Sequence, residues 1–213
     1  MSRKFSAKQV VLTSFFIDFL DIVINVVVML ATGSVVMLAE LFQGTADLIS
    51  SGLLLIGLRR PKKEVYIWTR FSALTMLMLA STLSFYFGLT RFLKPESIKH
   101  IYLAYGALLI AASSNGYAFY VSAKRILGGE KVTKIIKVYP NSLHLMTKNT
   151  FVLDLMGMSA ALLGLVALIL YQLTGELRFD GVGAMGIGIV LALLSVDLLF
   201  DIGTAQRKKT GCR

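Results

Sequence analysis

The sequence predicts an all-α membrane protein, a bundle of six transmembrane helices, from three plain observations. Hydrophobic residues make up 56% of the 213-residue chain and charged residues only 16%, far from the averages of soluble domains. The charges fall in short clusters that separate apolar runs long enough to cross a bilayer. One such run, Ser34 to Leu58, carries Glu40, Gln43 and Asp47 at steps of three and four residues. That spacing puts all three side chains on one helix face, which must look toward protein or water rather than lipid.

Taken in order, the first span runs from about Val10 to Thr32, and Gly33-Ser34 turns the chain into the second, ending at Leu58. The basic N-terminus before it resembles a signal peptide, but the run is too long and contains Asp18, Asp21 and Asn25. It is read as a retained first helix. The third span covers about Tyr66 to Leu93 and is broken by Lys94-Pro95. The fourth runs from about Ile101 to Ala123, the fifth from Thr150 to Leu173 and the sixth from Gly181 to Gly203. This gives a membrane domain over residues 1–206 and a short basic tail over 207–213, with no soluble C-terminal domain expected.

An even number of spans places both termini on one side. That side gathers Arg3, Lys4 and Lys8, the cluster Arg59 to Arg70, the loop Lys124 to Lys148 and the tail Arg207 to Arg213. The other side holds only Arg91, Lys94, Lys99 and Arg178. The positive-inside rule then makes both termini cytoplasmic, and the short loops and small size suggest a plasma (inner) membrane. The same distribution accounts for the net charge of +10 and excludes a nucleic-acid role, since no basic face with interleaved aromatics exists. The loop Lys124 to Lys148 reads as a topology determinant on an anionic leaflet. A lone cysteine, Cys212, supports neither a disulfide nor a thiolate metal site.

The spans hold more acid than base. Asp18, Asp21 and Asn25 share a face of the first helix, Thr150 and Asp154 lie one turn apart on the fifth, and Asp197 and Asp201 one turn apart on the sixth. No membrane lysine or arginine is available to neutralise them, since Arg70 and Arg91 lie near the ends of the third span. Acids without basic partners want a cation or protons. If the second and fifth helices meet, Asp47 and Asp154 with neutral oxygens from Gln43 and Thr150 form a four-ligand site. Oxygen ligands favour harder ions such as Mn²⁺ or Mg²⁺. Gln43 and Thr150 are equally readable as interhelical hydrogen bonds. Asp18, Asp21 and Glu40 are read as protonated or as lining a water-filled approach, and Asp201 as solvated. Small residues in the sixth span (Ala184, Gly188, Ala192) and the fifth (Gly157, Ala161, Gly164) read as tight packing without chemistry.

The stretch GSVVMLAELFQGTADLISSGLLLIGLRR resembles the second transmembrane helix of the cation diffusion facilitator family. Gln43 and Asp47 fall at its paired metal-ligand positions, and Thr150 and Asp154 at the matching pair of the fifth helix. SSNGYAFYVSAKR is similar to the fourth helix and FDGVGAMGIGIVLALL to the sixth. The resemblance implies a homodimeric exporter of divalent cations, Mn²⁺ or Zn²⁺, by proton antiport and alternating access, with no bound cofactor. It implies that helices one, two, four and five surround the ion while three and six pair separately. Asp18, Asp21, Glu40 and Asn115 are the auxiliary, pathway or proton-carrying candidates.

The chain departs from the family pattern at several points. Gln43 and Thr150 replace histidine, PKKEVYIW stands where His-Pro-Phe-Gly is usual, and the family's cytoplasmic metal-binding domain is not expected here. Asn115 stands where relatives often have Glu, Asp18 where they often have Asn, and Asn25 where they often have Lys. Protons would ride on Asp47, Asp154 or an auxiliary acid rather than on a ligand histidine. The alternative is a non-transporting relative that serves as a structural or regulatory membrane partner. An enzyme is not expected, because no nucleophile–base pair or histidine-rich metal site lies within the spans.

Overall fold

The computed structural model describes residues 7–57, 64–127 and 145–210. The loops after the second and fourth spans fall largely outside the described residues, as do the basic N- and C-terminal ends. Six long helices account for nearly all of what is described: α1 (Ala7–Thr32), α2 (Val35–Gly57), α3 (Val65–Leu93), α4 (Ile101–Leu127), α5 (Leu145–Thr174) and α6 (Arg178–Thr210). No strand occurs among the described residues. The centre of α3 loosens into a π-helical turn over Met76–Ser81. Helices α4, α5 and α6 run several residues beyond their expected cytoplasmic ends. The last turn of α4 takes in Lys124 and Arg125, which suit a helix C-terminus electrostatically.

Four helices (α1, α3, α5 and α6) are long and apolar enough to cross a membrane on their own composition. The second and fourth spans are the more polar ones. Acidic, amide and hydroxyl side chains lower the hydropathy of α2, and α4 is likewise more polar, with Ser113, Ser114, Asn115 and Ser122. For α2 the polarity is tolerable because the helix is central. Of its side chains only Ile49 and Ile56 are well exposed. The outward faces of the other helices are apolar, with Phe16, Leu20 and Val27 on α1, Leu109 and Tyr117 on α4, and Val166 and Ile169 on α5 all exposed. Such a surface suits lipid and not water.

Three interhelical turns meet at one end. Gly33 and Gly175 take left-handed backbone conformations (φ of 67° and 71°) that close α1 and α5, and their amides bond back to Met29 and Tyr171 at 2.9 Å. The Lys99 amide donates to the Thr32 carbonyl at 2.9 Å. The Ile98 amide donates to the Tyr171 hydroxyl at 3.0 Å.

At the centre of this end, Asp180 of α6 caps α2 from another helix. Its carboxylate accepts from the Ser34 hydroxyl at 2.6 Å and from the Val35 and Val36 amides at 2.9 and 3.0 Å. Arg91 of α3 lies 3.7 Å from the same carboxylate, bonds the Gly33 carbonyl at 2.5 Å, and pairs with Glu96 at 2.8 Å. Two otherwise orphaned helix amides are thus satisfied by a fully buried acid. Asp180→Ala should therefore lower stability by about 2 kcal/mol, the upper end for losing an N-cap. Denaturant unfolding in detergent reads this directly, and Asp180→Asn, which keeps an acceptor, should recover part of it.

Two charge assignments also need correction. A basic residue does lie inside a span: because α5 begins at Leu145, Lys148 is helical and only 4% exposed. Its ammonium meets Asp201 of α6 at 2.7 Å, so Asp201 is paired rather than simply solvated. Asp197 is exposed.

The α3–α6 seam is made by backbone contact. A Cβ at Gly88 would stand 2.6 Å from the Met185 nitrogen, and one at Gly181 would stand 2.6 Å from the Phe92 nitrogen. Ala184 is fully buried in the same stretch. Helix α3 also packs on α2, and α6 on α5. The α3–α6 pair therefore leans against the helices that carry the polar residues.

Candidate functional site

The polar stripes of α1, α2, α4 and α5 all turn inward. Asp18, Asp21, Asn25, Glu40, Gln43, Asp47, Asn115, Thr150 and Asp154 are buried, none more than 7% exposed. Asp47 is close enough to Asp18, Asp154, Asp21 and Glu40 for their charges to act on it. Asp18 likewise feels Asp154 and Asp21. No lysine or arginine pairs with Asp18, Asp21, Glu40 or Asp47 among the described residues.

Each acid is held differently. Gln43 donates its amide N–H to one oxygen of Asp47, one turn along α2. The other oxygen, Oδ1, is buried and meets no hydrogen-bond donor among the described residues. The same is true of Glu40 Oε1. Asp154 accepts from the Ser122 hydroxyl of α4 at 2.8 Å. Asp18 accepts from Ser51 of α2 at 2.7 Å. Asp21 accepts from the Asn115 amide at 2.9 Å and, at 3.5 Å, from Ser114. Thr150 is fully buried one turn before Asp154.

Two groups escaped the reading of the sequence. Ser51 continues the α2 stripe one turn past Asp47, and Ser122 lies seven residues after Asn115 on the same face of α4. Helical spacing alone would have found both. Gly157, read as tight packing, does stand at a crowded point of the interior. It lies three residues after Asp154, on the inward face of α5, where the side chains of Asn115 and Gln43 crowd against its backbone.

Among the described residues no three carboxylate, imidazole or thiolate side chains converge closely enough to hold a metal ion by themselves. A cation here would have to draw on amide and hydroxyl oxygens as well. Gln43, Asn115, Ser122 and Thr150 are the neutral groups beside Asp47 and Asp154. An oxygen-rich set of that kind suits a hard or borderline divalent ion better than a soft one.

An apolar helical exterior around a buried acid-lined interior defines an integral membrane protein built to carry cations. A family model of the cation efflux transmembrane domain matches residues 11–203. The chain belongs to the cation efflux family, whose members are transporters rather than enzymes. A comparison with curated proteins finds no match.

Proposed function

We propose that the protein exports a divalent cation, Mn²⁺ or Zn²⁺, in exchange for protons by alternating access. Asp47 and Asp154 are the central ligands and Gln43 and Thr150 the weaker ones. The observation that carries this reading is Asp47 itself. It is a buried carboxylate on the central helix with one oxygen lacking a donor, near Asp154 of a facing helix. Carboxylates bind metal only when deprotonated, so protons compete for the same groups. That competition is the simplest coupling available to a site without histidine. Asp18, Asp21 and Glu40 line the approach and take up or release the exchanged protons.

The proposal extends to the surroundings. Residues 1–206 form the transport domain, the chain acts as a homodimer in a plasma membrane, and the end bearing the two termini faces the cytoplasm. The basic clusters at that end support the orientation. Purified protein in liposomes loaded with a pH indicator tests the transport claim. External Mn²⁺ or Zn²⁺ should drive cation uptake together with a rise in internal pH. Cation flux without proton movement would remove the antiport step. No flux of any divalent ion, with co-purification of a second membrane protein, would favour a non-transporting partner.

A further inference from the structure

The proposed ligands come from α2 and α5, yet two carboxylates cannot complete a divalent shell, and among the described residues no third acid, imidazole or thiolate converges with them. The geometry points to Asn115 of α4 as an additional ligand, with Gly157 as the residue that makes room for it. This rests on the cation reading of the Asp47 site and adds a third helix to it.

The Asn115 amide has two hydrogens to donate. Its nitrogen donates to Asp21 at 2.9 Å and to the Ala111 carbonyl at 3.0 Å. Both N–H groups are therefore spent, and the amide plane is fixed. The carbonyl oxygen is left as the end that faces α5. A Cβ built on Gly157 would lie 2.7 Å from that oxygen and 2.9 Å from the Gln43 amide nitrogen. Two amides from different helices thus crowd one point on the α5 backbone. Gln43 in turn bonds Asp47, whose free oxygen is buried without a donor.

A fixed, buried, neutral amide oxygen is a ligand of the kind a hard cation takes alongside carboxylates. Asp21 orients Asn115 from behind, as outer carboxylates orient ligands in metal sites. A side chain at position 157 would push both amides out of place. The inference therefore assigns ion selectivity partly to α4, through a group that prefers Mn²⁺ or Mg²⁺ to softer ions.

Calorimetric titration of the full-length protein with Mn²⁺ and Zn²⁺ tests this, using wild type, Asn115→Ala, Asn115→His and Gly157→Ala. Asn115→Ala should weaken Mn²⁺ binding by about tenfold or more. Asn115→His should shift the Zn²⁺-to-Mn²⁺ preference toward Zn²⁺, because imidazole nitrogen suits Zn²⁺. Mn²⁺ bound to that variant should show nitrogen coupling in pulsed electron paramagnetic resonance. Gly157→Ala, which removes no ligand, should also weaken binding, and it serves if an Asn115 variant fails to fold. Wild-type binding with unchanged affinity in Asn115→Ala or Gly157→Ala, or an unchanged ion preference in Asn115→His, overturns the role of Asn115 and leaves the Asp47 site standing. Absence of divalent binding by the wild type overturns both.

Discussion

Asp47→Asn is expected to eliminate cation binding and transport while leaving the protein at least as heat-stable as the wild type. The substitution keeps the volume and an acceptor for the Gln43 amide, so the helix contacts survive. What it removes is a carboxylate, buried near Asp18, Asp21, Glu40 and Asp154, that can ionise when a cation binds. Burying a charge without a compensating partner is costly, so an amide that never ionises is no burden to the empty protein. The ionised carboxylate is the main attraction for a divalent ion. Its loss should exceed the roughly 10–100-fold in affinity typical of groups acting one shell further out. Function and stability thus move in opposite directions, as they do where a site is held in a strained electrostatic state. Thermal unfolding and metal titration of the same preparation read both. A variant that loses stability along with binding would place Asp47 among the structural hydrogen-bonding residues.

Gly88→Val should be the most damaging single change to the fold. A Cβ there meets the Met185 nitrogen at 2.6 Å and the Gly181 carbonyl at 2.9 Å, and both are backbone atoms that cannot rotate away. The helices would have to separate, at a cost of about 3 kcal/mol or more, the upper range for overpacking. Gly186→Ala is the matched control, because a Cβ at Gly186 meets nothing within 4 Å. A melting temperature lowered by several degrees in Gly88→Val and unchanged in Gly186→Ala is the expected pattern. Equal stability of the two variants would mean that the α3–α6 seam is looser than its backbone contacts indicate. Since α3 and α6 also lean on α2 and α5, a separated seam should disturb cation binding as well.

The helices were legible because hydropathy and punctuation agree. Gly33 does turn α1 into α2, and Lys94-Pro95 does end α3. The inward faces of α1, α2 and α5 follow from acids spaced by three and four residues, since a carboxylate facing lipid has no favourable alternative. What stayed hidden depends on partners distant in sequence. Asp180 looks like an ordinary acid at the start of a helix, and nothing near it in the chain shows that it caps α2. Lys148 reads as a loop cation until α5 is seen to start at Leu145, where its ammonium meets the Asp201 carboxylate. Gly157 reads as packing because a glycine reports only that something approaches closely. That the approaching groups are the Asn115 and Gln43 amides is a fact of three-helix geometry.

Isothermal titration of the purified protein with Mn²⁺, Zn²⁺ and Mg²⁺ at two pH values, beside Asp47→Asn, tests the central claim most directly. Saturable binding that weakens at the lower pH and disappears in the variant is the predicted result, since protons and metal compete for the same carboxylates. Binding that persists undiminished in Asp47→Asn, or no binding of any divalent ion by the wild type, would contradict a cation site built on Asp47.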